Sequence, residues 1–179
     1  MVVPSPAPGS PSELDRFESF IRRHYVVVAL VLIVLIAVPV IIYYGMSYNS
    51  VNGTTIQIAS VSRTVIRGFF GGISSVTYYV EVHVWSYATS VDTRVNQPSF
   101  GLFVNSYSIG SENGGSGTFK PYSYLIYSLT FTTYDSSVAS AVGQSTSNYV
   151  IVSMDALVSA GIYQSQTTLS DSASPVFSS

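Results

Sequence analysis

The hydrophobic and polar positions divide the chain into two parts with different periodicity. Residues 25–44 read YVVVALVLIVLIAVPVIIYY, an apolar run without a charged or amide side chain. A helix of this length spans roughly 30 Å, which matches the hydrocarbon core of a bilayer. Tyrosines at both ends suit the two interfaces, where a phenol keeps its hydroxyl in water. The sequence therefore predicts a transmembrane helix, and the residues expected to anchor it are Tyr25, Leu32, Pro39, Tyr43 and Tyr44.

The basic residues around this run predict its orientation. Arg16, Arg22 and Arg23 lie just before it, whereas the next arginine or lysine is Arg63. By the positive-inside rule the N-terminus stays in the cytoplasm and the C-terminal part is exported. A cleaved secretory signal is the competing interpretation, but the run is longer than a usual signal core and no A-x-A site follows it. We therefore expect a retained single-pass anchor in the cell membrane.

From residue 54 onward the pattern has period two, which is typical of β-strands. In residues 76–87 the valines fall on one face, while Glu81, His83 and Trp85 fall on the other. Asp135 can cap a short helix, SSVASAVG, and residues 110–117, GSENGGSG, are expected to form a loop. Further strands are expected at 93–105, 125–133, 149–158 and 162–170.

These patterns predict a mainly β protein. One N-terminal transmembrane α-helix is followed by an antiparallel, immunoglobulin-like β-sandwich with one short helix. The part after the apolar helix is long enough for one domain with a core of its own. The expected segments are a cytoplasmic Pro/Ser-rich tail with a juxtamembrane segment (1–24), the transmembrane helix (25–44), a linker (45–53), the exported β-sandwich (54–170) and a C-terminal tail (171–179).

Composition removes several classes of function. The chain has 179 residues, no cysteine, a formal net charge of −2 and only 9% charged residues. Without cysteine, thiol catalysis, Cys-based zinc sites and iron–sulfur clusters are excluded. Because no stretch is strongly basic, we expect no nucleic-acid partner.

Candidate catalytic and metal-binding groups are few. His83 is the only histidine after the apolar helix, and its neighbour on the strand face is Glu81. Two ligands are too few for an ordinary zinc site, so a cross-strand hydrogen-bonding pair is the preferred interpretation. The sequence has no G-x-S-x-G elbow and no phosphate loop, and its carboxylates are scattered. We therefore expect no enzymatic activity, no metal and no cofactor.

Three features are candidate modification or contact sites. Asn52 begins the only N-x-S/T sequon, NGT, which is a candidate for glycosylation and equally a turn signal. Phe69 and Phe70 lie in a glycine-rich loop, where they either plug one end of the sandwich, which is the preferred interpretation, or contact the bilayer or a neighbour. Aromatic side chains near the predicted strands suit a protein interface. They are Tyr79, Trp85, Tyr87, Tyr122, Tyr124 and Tyr127.

The run VEVHVWSYATSVDTRVNQPSFGLFVNSYSIGSENGGSGTFKPYSYLIYSLTFTT resembles the type-2 late-embryogenesis-abundant domain, also called the water-stress and hypersensitive-response domain. In that family a strand similar to SFGLFVNSYSIGS and an entry similar to Lys120-Pro121-Tyr122-Ser123 precede another long strand. The resemblance covers about residues 54–168 and departs at Ser86-Tyr87-Ala88, where the family often has Asn-Pro-Asn. It implies an immunoglobulin-like sandwich with no established enzymatic chemistry.

The sequence as a whole predicts a non-catalytic membrane protein whose exported β-sandwich is a binding or scaffolding module. Its expected partners are the lipid bilayer and a protein of the membrane or cell surface, with this chain as an accessory subunit. A filament subunit is one alternative, because archaeal pilins have a similar layout, although Arg22-Arg23-His24-Tyr25 departs from their usual cleavage site. A membrane-associated stress-protective protein is the other, and only the family resemblance suggests it.

Overall fold

The computed structural model describes residues 13–88 and 90–177, so the first twelve residues of the expected tail lie outside it. The chain forms two compact units, of which one ends at Ile42 and the other begins at Tyr43. Helix α1 (Glu13–Arg23) lies in the first unit, and helix α2 (Tyr25–Asn52) begins there. Among the described residues α2 is the only helix long and apolar enough to cross a membrane, and its most apolar window has no buried residue.

The second unit contains two antiparallel sheets. The first sheet has the strand order β1-β2-β6, and the second has the order β4-β3-β7-β8, with β5 paired to β3. This arrangement confirms the predicted fold class, an N-terminal apolar helix followed by a β-sandwich with one short helix. Its elements are β1 (Thr54–Arg67), β2 (Ile73–Ser86), β3 (Thr93–Val104), β4 (Tyr107–Asn113), β5 (Gly117–Phe119), β6 (Tyr124–Thr133), α3 (Ser136–Gly143), β7 (Val150–Ala160) and β8 (Tyr163–Ala173).

The core lies between the sheets and follows the predicted alternation. From Val76 to Val84 every second side chain of β2 points inward and is at most 2% exposed, because strand residues alternate between the two faces. These residues are Val76, Tyr78, Val80, Val82 and Val84. The opposite sheet contributes Phe100 and Leu102 from β3 and Val152 and Met154 from β7, all fully buried.

The last turns of α2 belong to the sandwich, so the linker expected at 45–53 is helical up to Asn52. Val51 and Ser50 are fully buried. The Ser50 carbonyl accepts hydrogen bonds from the hydroxyls of Thr54 and Ser86, at 3.0 and 2.9 Å. The Ser50 hydroxyl in turn donates to the Ala88 carbonyl at 3.3 Å. The first two bonds satisfy the Ser50 carbonyl in the last turn of the helix, and the third ties the same turn to the segment after β2. These contacts stabilise a helix where the polar sequence predicts a coil.

The turn between β7 and β8 packs against the same part of α2. Gly161 has φ +51°, and a Cβ at this position would lie 2.6 Å from the Tyr43 hydroxyl. Tyr163 packs against Tyr44 and Tyr48 with ring centroids 5.8 and 5.1 Å apart. Only glycine combines this φ with so close an approach.

We expect Gly161→Ala to destabilise the sandwich more than Gly71→Ala does. Gly71 also has a positive φ, +80°, but a Cβ there would meet nothing within 4 Å. Both variants incur the left-handed backbone cost of roughly 1–2 kcal/mol, and only the first also clashes with Tyr43. Thermal melts of the two variants measure the difference, and equal melting temperatures would contradict the packing of the turn against α2.

Two further segments differ from the sequence-based expectation. The loop expected at 110–117 is largely strand, since β4 continues to Asn113 and β5 begins at Gly117. The tail expected from residue 171 contributes to the sandwich, because β8 continues to Ala173 and Phe177 is only 6% exposed. The Phe177 amide also donates to the Thr146 carbonyl at 2.7 Å. Both segments consist mainly of small and polar residues, which do not show the alternation typical of strands. They form strands because they pair with neighbours that are distant in the sequence.

Helix α3 begins as predicted at Asp135, whose carboxylate accepts hydrogen bonds from the amides of Ser137 and Val138. A hydrogen bond from the Ser137 hydroxyl and these backbone bonds hold the pKa of Asp135 below its usual range. The cap therefore stabilises the fold above the ordinary pKa of the carboxyl, and this contribution is lost as the pH falls through the lowered pKa.

We expect Asp135→Asn to remove this pH dependence, because asparagine keeps an oxygen acceptor but does not titrate in this range. Thermal melts from about pH 2 to pH 5 measure it, since the ordinary carboxyl pKa lies in that interval. Parallel melting curves for the two proteins across the interval would contradict the role of the cap.

Candidate functional site

The strongest candidate site is an aromatic cleft at the end of the sandwich where α2 enters. Trp85 of β2 is paired in register with Tyr124 of β6, so both side chains stand on the outer face of the first sheet. The turn after β2 adds Tyr87, and the turn before β6 adds Tyr122, at the same end of the sheet. The cleft has a volume of about 370 Å³ and is lined by Trp85, Ser86, Tyr87, Tyr122, Ser123 and Tyr124.

The aromatic rings of the cleft are ordered against one another and open to solvent. Trp85 and Tyr87 make an edge-to-face pair with ring centroids 6.4 Å apart. Tyr124 stacks on His83 at 4.5 Å, which extends the aromatic surface along β2. Tyr87 and Tyr122 are 73% and 97% exposed. Such rings offer apolar faces to a ligand, and no charged side chain lines the cleft. Its two serine hydroxyls are already hydrogen-bonded within the protein.

Backbone strain accompanies the cleft. Tyr122 has φ +64°, a conformation that is rare for a bulky residue and costs roughly 1–2 kcal/mol. The turn that holds it is closed by the Ser123 hydroxyl, which donates to the Lys120 carbonyl at 2.8 Å. Strained residues of this kind concentrate at functional sites, so the strain supports a role for the cleft.

His83 and Glu81 form a hydrogen-bonded pair, but along one strand instead of across two. The His83 Nε2 and Glu81 Oε1 atoms are 2.9 Å apart. The expectation of a cross-strand pair is therefore wrong: side chains two positions apart on β2 share one face, and the neighbouring strands place Gln57 and Ile126 opposite His83. In the described part of the chain no three His, Asp or Glu side chains are placed to hold a metal ion.

Phe69 and Phe70 lie in the distal tip, which we define as residues 68–72 between β1 and β2. Both rings are 98% exposed and pack edge to face at 5.6 Å. Their interpretation as a plug of the sandwich is wrong, because the hairpin extends beyond the core. The strand β1, which has 14 residues, places this tip roughly 40 Å from the end of α2.

A polar network that the sequence did not predict closes the distal end of the sandwich. Arg63 Nη1 donates to the carbonyls of Val142 and Ser145, both at 2.7 Å, at the C-terminal end of α3. Its guanidinium carbon lies 4.5 Å from the Phe177 ring centroid. Burial raises the pKa of Tyr78, and nearby Arg63 only partly opposes this, so the phenol stays neutral. The arrangement favours a structural role, because it satisfies the carbonyls at the end of α3.

Two carboxylates join the sheets along their edges. Asp171 Oδ2 of β8 accepts a hydrogen bond from the Ile58 amide of β1 at 2.8 Å. Glu112 of β4 accepts one from the Thr130 amide of β6. Each bond connects strands of different sheets, so these scarce charges serve the fold and carry no sign of chemistry.

The remaining predicted residues lie on exposed helical surface. Asn52 is exposed and donates to the Tyr48 carbonyl at 3.0 Å, whereas Gly53 and Thr54 of the same sequon are buried. Arg22 pairs with Glu18 at 2.9 Å on the exposed face of α1. Pro39 lies inside α2 without interrupting it. Exposed residues of α1 and α2 named by the sequence are Arg16, Arg22, Arg23, Tyr25, Leu32, Pro39, Tyr43 and Tyr44.

Of the six aromatic residues expected near an interface, the structure brings four together. Trp85, Tyr87, Tyr122 and Tyr124 line the cleft. Tyr79 is 48% exposed on the same strand as Trp85 but further from the cleft. Tyr127 is instead a core residue, 9% exposed, whose ring packs against Phe100 at 5.0 Å.

Comparison with known proteins adds similar structures but no family. No model of a protein family matches this chain, and no curated protein matches it. A crystal structure of a protein from Archaeoglobus fulgidus has 15% identity and a TM-score of 0.38, and the match covers 67% of this chain and 97% of that one. A solution structure of a protein from Arabidopsis thaliana has 16% identity and a TM-score of 0.48, covering 68% and 80%. The sporulation control protein Spo0M from Bacillus subtilis has 14% identity and a TM-score of 0.38, covering 71% and 50%.

Proposed function

We propose that this chain is a non-catalytic, single-pass membrane protein whose exported β-sandwich binds a protein partner. In this proposal the N-terminus is cytoplasmic, α2 crosses the bilayer, and the sandwich is an accessory subunit of a membrane or cell-surface assembly. The observation that carries the proposal is the aromatic cleft on a domain that includes the end of an apolar helix. The similarity to the type-2 late-embryogenesis-abundant domain stays a prediction beside it.

The character of α2 supports the membrane part of the proposal. Between Tyr25 and Ile42 no side chain of α2 is buried, and large ones such as Leu35 and Ile41 are 64% and 67% exposed. An apolar surface of this extent is unfavourable in water and favourable in lipid. The arginines of α1 precede it, in agreement with a cytoplasmic N-terminus under the positive-inside rule.

The position of the cleft supports a partner that is itself in or near the membrane. About eight helical residues separate Tyr44 from Asn52, which corresponds to roughly 12 Å along the helix. The cleft lies at the level of Ser86, which pairs with Thr54 just after the helix ends. A protein beside α2 in the same bilayer could therefore reach the cleft with a short extramembrane segment.

An exposed cleft of aromatic rings favours binding over catalysis. Interfaces are enriched in tyrosine and tryptophan, which bury a large area at a low cost in side-chain entropy. The acidic and basic groups of the described sandwich are engaged in structural contacts or lie apart from one another. The cleft thus offers contact area and hydrogen bonding but no acid–base pair.

One structural feature also favours the filament alternative. Helix α2 remains helical from the apolar run to Asn52, as expected for a subunit whose apolar helix packs in a shared filament core. A stress-protective role has no comparable observation and stays a prediction from the family resemblance.

Purification from native membranes in mild detergent, followed by mass spectrometry of intact chains, separates these functions. A full-length chain with a stoichiometric companion supports an accessory subunit. A chain that begins near Tyr25 and assembles with itself supports a filament subunit. A full-length chain that never purifies with a companion would contradict the proposed function.

We expect the double substitution Trp85→Ala and Tyr122→Ala to release the companion. Loss of two aromatic contacts at the centre of an interface weakens binding by at least about tenfold each. The matched control is Tyr107→Ala, a ring that is 45% exposed on β4 of the opposite sheet. Companion recovery is measured by quantitative mass spectrometry, and circular dichroism confirms folding. Equal loss in both proteins would argue against the cleft as the contact.

A further inference from the structure

The turn between β7 and β8 has the character of a membrane-contacting element. Its sequence from residue 159 to residue 164 is SAGIYQ, without a charge. Ile162 occupies the turn with 58% of its surface exposed, whereas the apolar residues at alternate positions of β7, from Val150 to Ala160, point into the core. An isolated exposed isoleucine is common, but this one is continuous with a row of tyrosines.

These tyrosines lie at the end of the apolar segment of α2. Tyr44 and Tyr48 stack at 6.4 Å, and Tyr163 packs against both. Tyr44 and Tyr48 are 47% and 45% exposed, so the cluster is open on one side. Tyrosine rings are enriched at bilayer interfaces because one end is apolar and the other is wet.

The contact with Tyr43 fixes the level of the turn along α2. Gly161 approaches the Tyr43 hydroxyl so closely that no side chain would fit between them. Tyr43 and Tyr44 are the last residues of the apolar run, and more polar residues, such as Ser47 and Asn49, follow. If these tyrosines lie in the headgroup region, the turn lies there too.

We propose that the β7–β8 turn inserts into the headgroup region of the bilayer, with Ile162 as its apolar contact and Tyr44, Tyr48 and Tyr163 as the surrounding rings. This inference rests on the proposed membrane anchoring by α2. The occupant is a lipid surface and not a second protein, because the turn packs against Tyr43 and Tyr44, the residues that close the apolar run in the sequence. The distal tip, roughly 40 Å from the end of α2, stays in water.

Depth-dependent quenching of tryptophan fluorescence tests the proposal in the full-length chain. The background is Trp85→Phe, which removes the single native tryptophan. Three reporters are then made one at a time: Ile162→Trp in the turn, Val34→Trp in the middle of α2, and Phe69→Trp in the distal tip. Each is reconstituted into phosphatidylcholine nanodiscs that carry bromine either near the headgroup or deep in the acyl chain.

The proposal expects the Ile162→Trp reporter to lose emission with shallow bromine, the Val34→Trp reporter with deep bromine, and the Phe69→Trp reporter with neither. If the helix reporter is quenched while the turn reporter behaves like the tip reporter, the turn does not contact lipid. This result would overturn the inference and leave the anchoring intact. If the helix reporter is also unquenched, the anchoring itself fails, and with it the inference.

Discussion

Val82→Asp is expected to unfold the β-sandwich. Val82 lies at the centre of β2, is fully buried and faces the opposite sheet across the core. An aspartate there would leave a charge without a partner in apolar surroundings, which costs more than about 4 kcal/mol. Domains of this size have a total stability of about 5–15 kcal/mol, so a loss of this size removes most of the stability of a domain at the lower end of that range. Far-ultraviolet circular dichroism and a thermal melt measure the outcome.

The matched control for this substitution is Tyr79→Asp on the same strand. Tyr79 points to the outer face and is 48% exposed, so the new charge stays in water. We expect this variant to fold, with a change in stability within about 1 kcal/mol. A cooperative melt of the Val82→Asp variant at the temperature of the native protein would refute the assignment of the two faces of β2.

The second large effect is expected for Arg63→Met. The substitution removes both hydrogen bonds to the carbonyls of Val142 and Ser145 and the contact with the Phe177 ring. Hydrogen bonds from a charged donor contribute about 1.5–3 kcal/mol each. The Ser145 carbonyl would lose its bond from Arg63, whereas the Val142 carbonyl would keep the bond that the Asn148 amide donates at 2.9 Å. We expect a loss of about 3 kcal/mol, which lowers the melting temperature by roughly 10 °C.

Two further variants test whether the effect requires the guanidinium group and whether it is specific to position 63. Arg63→Lys keeps the charge but loses the planar fork, so we expect an intermediate melting temperature. Arg67→Met removes an exposed arginine further along the same strand, where the expected change lies within about 0.5 kcal/mol. Denaturant unfolding of the three variants gives the free energies. If Arg63→Met and Arg67→Met cost the same, Arg63 does not hold the end of α3.

The elements that local pattern determines were predictable. The alternation in β2 and the apolar run of α2 each follow from one stretch of sequence, because side-chain periodicity directly indicates the buried face. The helical end of α2 was missed, since Ser47 and Ser50 look like solvated linker residues. Their hydroxyls bond to backbone carbonyls, and Ser50 reaches Ala88, 38 positions away, a contact that no local pattern indicates.

The candidate site was predictable in its residue types but not in its assembly. The aromatic residues on the outer face of β2 follow from the alternation, but the cleft also requires the register that pairs Trp85 with Tyr124. Tyr127 is also an aromatic residue of β6, but it is buried. It lies on the inner face of the strand, whereas Tyr124 and Ile126 lie on the outer face. The hydrogen bonds of Arg63 join residues up to 82 positions apart, which the sequence alone could not bring together.

The length of β1 sets the distance between two surfaces of the sandwich, the aromatic cleft and the distal tip. A molecule that contacts the cleft is held beside the end of α2, whereas one that contacts Phe69 and Phe70 is held roughly 40 Å away. The spacing is set by the number of residues in a single hairpin. Adding two residues to each of β1 and β2 would move the distal tip outward by about 7 Å without changing the cleft. Two molecules bound at these surfaces would thus be held at a defined separation, and the number of residues in the hairpin would determine that separation.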